Sequence, residues 1–111
     1  MTLMILETRE TEKFPVATIV AQEANLDNAD KFKEEMFALI DKGYPRIVLN
    51  FKQVTYIDSS FLGALVASLK YALSKGADIF LIELKKDIHN MLHLIRMDKV
   101  FKIYNREEDI A

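Results

Sequence analysis

The amino-acid sequence predicts an α/β fold: a single domain over residues 1–111, with a mixed, mostly parallel β-sheet, an N-terminal β-hairpin and helices packed on the sheet. The chain has 111 residues, the usual size of one domain. Half of them are hydrophobic and 29% are charged, which suffices to bury a core beneath a hydrated surface. Apolar β-branched runs alternate along the chain with segments of helical periodicity, and this order is typical of a parallel sheet covered by helices.

The composition narrows the classes of function. The 15 basic and 17 acidic residues are interspersed, and no basic block is present to follow a nucleic-acid backbone, so we expect no direct contact with nucleic acid. The absence of cysteine excludes disulfides and thiolate ligands, and the N-terminus does not resemble a signal peptide, so we expect a cytoplasmic protein. The longest apolar runs, such as residues 61–69, are far shorter than the ~20 residues that cross a bilayer, so we expect no membrane insertion.

The first two predicted strands form an antiparallel hairpin. Short β-branched runs occupy residues 4–6 and 16–20, and a polar stretch, residues 7–13, separates them. The second run has apolar residues on both sides of Thr18. We therefore expect the second strand to be largely buried and the first to lie at an edge of the sheet.

The first predicted helix covers residues 28–42. Residues 25–28 supply capping side chains, and apolar residues then recur at the spacing of one helical face. Gly43 is suited to the left-handed conformation that often follows a last helical turn, and Pro45 prevents the helix from continuing. The helix is therefore expected to end before these two residues.

Two near-continuous apolar runs, residues 46–51 and 77–82, predict central strands that are covered on both or most faces. The intervening residues 60–74 predict a second helix, with Gly76 at its C-terminal cap. Apolar residues spaced three and four apart define the face expected to point inward: Leu62, Leu65, Val66, Leu69, Ala72 and Leu73.

The end of the chain predicts one more helix, one more strand and a loosely packed tail. Residues 100–104 favour a short last strand. From Asn105 onward the apolar content is too low to predict good packing. Asp87 opens the third helix, whose apolar stripe consists of Ile88, Met91, Leu92 and Ile95.

Residues 54–63 contain the clearest chemical signal. This turn follows the strand at residues 46–51 and leads into the second helix, and such junctions in parallel sheets often hold functional groups. Asp58 and Ser59 both favour the N-cap position, where a side-chain oxygen accepts a hydrogen bond from an unpaired amide of the first turn. One interpretation is therefore that these side chains only cap the helix.

The second interpretation makes Ser59 a phosphorylation site. A helix N-terminus offers free amides and a partial positive charge, and both favour an added phosphate. Phosphorylation would bring close to two negative charges into the same turn as Asp58. The added charge would alter what an acidic or apolar partner surface accepts, so binding would switch with little refolding.

The start of the second helix also suggests a protein-docking surface. Phe61, Ala64 and Ser68 fall outside the predicted inward stripe, and Gly63 belongs to the adjoining strip. A large aromatic residue beside small ones is typical of such surfaces, and small side chains near Ser59 would let a kinase active site approach. The alternative interpretation is that Phe61 packs on a neighbouring loop.

The sequence resembles the STAS domain family, and within it the bacterial anti-sigma factor antagonists. The resemblance rests on residues 47–51, 54–65 and 99–104, and it extends over nearly the whole chain, since Leu26-Asp27 falls where the family has a leucine-aspartate pair. It implies a STAS-like fold and a partner-switching cycle. In that cycle an anti-sigma factor, itself a serine kinase, binds the unphosphorylated antagonist and releases its sigma factor.

The resemblance also implies roles for single residues. The family's phosphoacceptor is the first serine after the aspartate, which is Ser59 here, while Asp58 assists the acceptor or contacts the kinase and Asp27 is a nearby acidic contact. The kinase supplies ATP and magnesium and a cognate phosphatase reverses the step, so the chain needs no cofactor of its own. The residues expected to bind the partner are Asp27, Asp58, Ser60, Phe61, Gly63 and Ala64.

One position departs from the family signature. Phe61 replaces the glycine that usually follows the serine pair, whereas Gly63 is retained. A phenylalanine at this place is expected to narrow the access of a kinase to Ser59.

The sequence leaves other functions open. One is a constitutive STAS subunit of a transporter or lipid-trafficking complex, which would bind through the same helix face without phosphorylation and for which Phe61 is the main support. Another is a binder of nucleotides or other small ligands at the same helix N-terminus. A serine hydrolase would need a base for Ser59, and the nucleophile-elbow glycines are missing. His89 and His93 are spaced to share a metal, but two imidazoles are a weak zinc signal and a solvent-facing pair is the simpler expectation.

Overall fold

The structure, a computed structural model, describes residues 4–111. Two 3₁₀ helices, Met97–Lys99 and Glu107–Asp109, flank the last strand. The strands and longer helices follow in this order: β1 (Leu6–Glu10), β2 (Pro15–Ile19), β3 (Glu23–Ala24), α1 (Leu26–Ile40), β4 (Arg46–Asn50), β5 (Tyr56–Ile57), α2 (Ser59–Ser74), β6 (Asp78–Ile82), α3 (Lys86–Leu94) and β7 (Lys102–Tyr104).

A five-stranded sheet in the spatial order β1-β2-β4-β6-β7 forms the centre of the fold. The pair β1 and β2 is antiparallel, whereas β2, β4, β6 and β7 run parallel to one another. The predicted mixed, mostly parallel sheet with an N-terminal hairpin is therefore confirmed. No helix in the described residues is long and apolar enough to cross a membrane.

The hairpin occupies different residues from those predicted. The first strand runs from Leu6 to Glu10, through residues that the sequence analysis assigned to a polar connection, and Leu6 is its only buried member. An edge strand needs only backbone pairing along one side, so exposed polar residues are tolerated in it. The carboxylate of Glu35 in α1 accepts hydrogen bonds from the amides of Ile5 and Leu6 and fixes the chain at the entrance to β1.

The helices cover one face of the sheet. Alternate residues of the central strands, including Ile47, Leu49 and Leu81, point to that face and pack with α1, α2 and α3. The opposite face presents a smaller apolar cluster: Phe14, Val16, Val48, Phe80, Ile82 and Ile110. The expectation that the tail after Asn105 packs poorly is wrong, because the side chain of Ile110 is only 3% exposed and belongs to this cluster.

The helix α1 begins and ends two residues before the predicted limits. Asn25 is its N-cap: the side-chain oxygen accepts from the amide of Asp27 at 3.0 Å, and the Asn28 side chain accepts from the amide of Asn25 at 2.9 Å. This reciprocal capping box satisfies two amides that would otherwise lack partners. Gly43, with a φ of +92°, and Gly76, with a φ of +77°, adopt the left-handed conformation predicted after the two helices.

The buried face of α2 differs from the predicted stripe. Phe61, Ala64 and Ser68 are buried, whereas Leu73 is 56% exposed. The helix packs against α1 as well as against the sheet, so its buried arc is wide and is shifted toward α1. The hydroxyl of Ser68 is satisfied inside this contact, because it donates to the carbonyl of Ala64 at 2.8 Å.

Candidate functional site

Two loops are joined by backbone hydrogen bonds at the carboxyl end of the parallel strands. The two-residue strands β3 and β5 pair in parallel, and the amides of Thr55 and Tyr56 both donate to the carbonyl of Gln22. The amide of Asp58 donates to the carbonyl of Ala24 at 2.9 Å. Since one loop leads into α1 and the other into α2, this pairing places the two helix N-termini side by side.

The carboxylate of Asp58 connects the two helices directly. Its Oδ1 accepts from the amide of Phe61 at 2.9 Å, which is the expected N-cap bond of α2. Its Oδ2 accepts from the amide of Leu26 at 2.9 Å, and Leu26 is the first residue of α1. The capping role predicted for Asp58 is therefore confirmed, and the structure adds a second helix to it.

Ser59 is the first residue of α2, and its side chain is exposed. Ser60 and Asp27 are exposed as well, each in the first turn of its helix. The structure therefore groups Asp27, Asp58, Ser59 and Ser60 at one place on the surface. A hydroxyl in this position is accessible to another protein and lies where unpaired amides and the helix dipole favour negative charge.

A shallow groove of about 410 Å³ runs along the outer side of α2 from Ser59. Gly63 lies in its wall, and a β-carbon added there would meet no atom within 4 Å. The fold itself therefore leaves room for a larger residue at this position. The groove is lined by Ser59, Leu62, Gly63, Val66, Ala67, Lys70 and Met97.

Two of the predicted partner-binding residues are corrected by the structure. Phe61 is fully buried, and its ring centroid lies 4.4 Å from that of Phe32 in α1. Ala64 is only 8% exposed in the same helix contact. Neither side chain forms a docking surface, and Phe61 points away from Ser59 and does not cover it. The main support for a constitutive docking function is thereby removed.

Two exposed apolar side chains in these loops were missed by the sequence analysis. Leu26 is 70% exposed and Tyr56 is 52% exposed, and each adjoins one of the paired loops. Leu26 lies off the apolar stripe of α1, which was a signal that its side chain does not belong to the core. Protein-binding surfaces combine exposed apolar residues with polar ones, and aromatic side chains such as tyrosine are enriched in them.

The histidine pair lies on α3. Among residues 4–111 no three histidine or acidic side chains are arranged to hold a metal ion. His89 and His93 are both exposed, as expected. His93 Nδ1 lies 2.7 Å from Asp98 Oδ2, and this hydrogen bond holds the pKa of the Asp98 carboxyl below its ordinary value.

The comparison with protein-family models and the comparison with known sequences agree on one family. The family model described as "STAS domain" matches residues 7–110. A Thermotoga maritima protein, assigned as an anti-sigma factor antagonist, is 35% identical over 85 residues, which cover 76% of this chain and 75% of the relative.

Solved structures share the fold. A crystal structure of an assigned anti-sigma factor antagonist from Thermotoga maritima has a TM-score of 0.81 and 28% identity, and the match covers 94% of this chain and 89% of that one. The phosphorylated form of the Bacillus cell fate determinant SpoIIAA has a TM-score of 0.69, with coverage of 95% and 96%. At 15% identity the likeness to SpoIIAA concerns the fold alone.

Proposed function

The chain belongs to the STAS domain family, and from this premise we propose that it acts as an anti-sigma factor antagonist whose binding is switched by phosphorylation of Ser59. One observation supports the switch above all others. Ser59 is exposed at the first residue of α2, beside the capping carboxylate of Asp58. A kinase therefore has access to the hydroxyl, and the phosphate would be added to the surface that a partner contacts.

In the proposed cycle, the unphosphorylated chain binds an anti-sigma factor that is also a serine kinase, and the sigma factor is released. The kinase supplies ATP and magnesium, and a cognate phosphatase restores the free hydroxyl. The cycle would take place in the cytoplasm, where its partners act on transcription. In this proposal the chain itself binds and is modified, while the catalytic groups belong to the two enzymes.

The proposed docking surface consists of the two helix starts and the adjoining groove. Asp27 and Ser60 provide polar contacts next to Ser59, and Gly63 leaves space for a partner side chain or backbone. Leu26 and Tyr56 provide exposed apolar area beside them.

The energy that such a switch requires is modest. A phosphate adds close to two negative charges and three acceptor oxygens. Like charges brought together at an interface cost several kcal/mol, and about 1.4 kcal/mol already changes a binding constant tenfold.

The phosphorylation step is tested by incubating the chain with its cognate anti-sigma kinase and Mg-ATP. We expect one phosphate, located at Ser59 by fragmentation mass spectrometry, and none in Ser59→Ala. Ser74→Ala is the matched control, because Ser74 is an exposed serine at the other end of α2, outside the proposed docking surface, and this variant should still accept the phosphate. Phosphate that appears only at another residue would exclude the assignment.

The binding step is tested separately with Ser59→Asp, which places a negative charge at the same position. Titration with the kinase in the absence of ATP should show weaker binding of Ser59→Asp than of Ser59→Ala. Equal affinities for the two variants would favour constitutive binding, as in a structural subunit, over a charge-controlled switch.

A further inference from the structure

The Asp58 carboxylate is shared between two helices that begin 33 residues apart, since α1 starts at Leu26 and α2 at Ser59. Each oxygen accepts one amide at 2.9 Å: that of Phe61 in α2, and that of Leu26 in α1. The first amides of a helix have no partner inside the helix, so each of these bonds satisfies a donor that would otherwise be left to water. The N-cap of α1, Asn25, does not take over this task, because its side-chain oxygen is used by the amide of Asp27.

The shared carboxylate also lies in the turn that would receive a phosphate. Ser59 follows Asp58 directly, and the amide of Phe61 that Asp58 accepts belongs to the same first turn. A phosphate on Ser59 has three strong acceptor oxygens, so it would compete with Asp58 for the amides of that turn. Its negative charge would also repel the carboxylate. No lysine or arginine forms an ion pair with Asp58 in the described part of the chain, so no paired cation offsets this repulsion.

We propose that Asp58 is a positioning residue that transmits the charge state of Ser59 to the start of α1. This inference rests on the proposed phosphorylation of Ser59. When the phosphate displaces the carboxylate, the bond to the amide of Leu26 breaks and the first turn of α1 loosens. The exposed side chains of Leu26 and Asp27 then lose their fixed position beside α2. A partner that contacts both helix starts is thus affected at two places by one phosphate.

The decisive measurement is amide hydrogen exchange by NMR on a chain with phosphoserine installed at position 59 during translation, so that no kinase is involved. We expect the Leu26 amide to exchange about tenfold faster or more than in the unmodified chain, the size expected when a hydrogen bond to a charged acceptor is lost. Phosphoserine at Ser74 is the matched control, because it adds the same charge at the other end of α2 and should leave Leu26 unchanged.

A second variant tests the shared carboxylate without phosphate. In Asp58→Asn an NH2 group replaces one of the two oxygens, so a donor faces one of the two amides that the carboxylate accepted, Leu26 or Phe61. We expect one of these two amides to lose protection, and both to lose it in Asp58→Ala.

The inference is overturned if phosphoserine at position 59 leaves the Leu26 amide unchanged, or if Asp58→Ala does. These outcomes can be distinguished from a failure of the proposed phosphorylation switch. A phosphorylated chain that keeps full affinity for its partner but shows fast exchange at Leu26 would refute the switch in binding and retain the transmission by Asp58.

Discussion

Asp58 and Ser59 are adjacent in the chain, but their side chains have different surroundings. The carboxylate of Asp58 accepts two backbone amides, and the hydroxyl of Ser59 is exposed to solvent. The capping interpretation and the regulatory interpretation of this turn are therefore compatible, because they concern different residues. The residue that organises the turn does not need to be the residue that is modified.

A substitution at Gly63 is expected to change binding affinity and stability in opposite directions. It lies inside α2, where glycine is less favourable than alanine by about 0.5–1 kcal/mol, and a β-carbon would meet nothing within 4 Å. We expect Gly63→Ala to raise the free energy of unfolding by about that amount in urea denaturation. The added methyl group would project into the groove beside Ser59, so affinity for the anti-sigma factor should fall.

Lys70→Ala is a suitable companion to this variant, because Lys70 lines the far end of the same groove and is itself exposed. It should change stability little, and it should weaken binding only if the partner fills the whole groove. Unchanged affinity in Gly63→Ala would show that the partner does not contact the groove next to Ser59.

At the scale of single elements, α2 shows what periodicity predicts and what it does not. Its length and its Gly76 cap followed from apolar spacing and turn chemistry. The buried face of α2 could not be predicted in the same way, because nearly all residues from 61 to 69 are apolar or small. Several apolar stripes at helical spacing therefore fit equally well. The contact of Phe61 with Phe32 in α1 decides between them, and a contact between distant segments leaves no periodic signal.

The small sheet formed by β3 and β5 had no sequence signal. Each strand has only two residues, which is too short for an alternation of apolar and polar side chains to be recognised. The pairing nevertheless determines how the two helix starts approach each other. The motif around Ser59 could be found from the sequence, whereas its connection to Leu26 could not.

The turn after α3 gives a prediction about pH. The hydrogen bond from His93 lowers the pKa of Asp98 from its ordinary value of 3.8. The folded state then binds fewer protons than the unfolded state, so this bond stabilises the fold above the unfolded pKa and is lost as the pH falls through the lowered folded pKa. We expect Asp98→Asn to be less stable than the wild type at neutral pH, and the difference to vanish in strong acid.

Urea denaturation of both proteins across the acidic range measures this difference. Asp30→Asn serves as a control, because Asp30 is an exposed carboxyl on α1. A gap between wild type and Asp98→Asn that does not change with pH would contradict the role assigned to the His93 bond.

At the scale of the whole molecule, the two faces of the sheet are covered in different ways. The face toward the helices could be predicted, because α1, α2 and α3 supply most of its apolar partners. The other face is closed by Phe14 from the hairpin loop and by Ile110 from the tail, with the guanidinium of Arg46 lying 5.2 Å from the Phe14 ring centroid. Phe14 and Ile110 each lie in a mostly polar segment. The low average apolar content of such a segment hides a single residue that belongs to the core.

The tail therefore contributes to stability, and one substitution tests this. Ile110 is 3% exposed, and its truncation to alanine would leave a cavity against Val16, Val48 and Phe80. Large-to-small changes of this kind cost about 2–5 kcal/mol, and we expect Ile110→Ala to lower the free energy of unfolding by at least about 2 kcal/mol in urea denaturation. Leu94→Ala is the control, because Leu94 is 81% exposed, and it should change stability by no more than about 0.5 kcal/mol. Equal effects of the two substitutions would mean that the tail does not cover the sheet in solution.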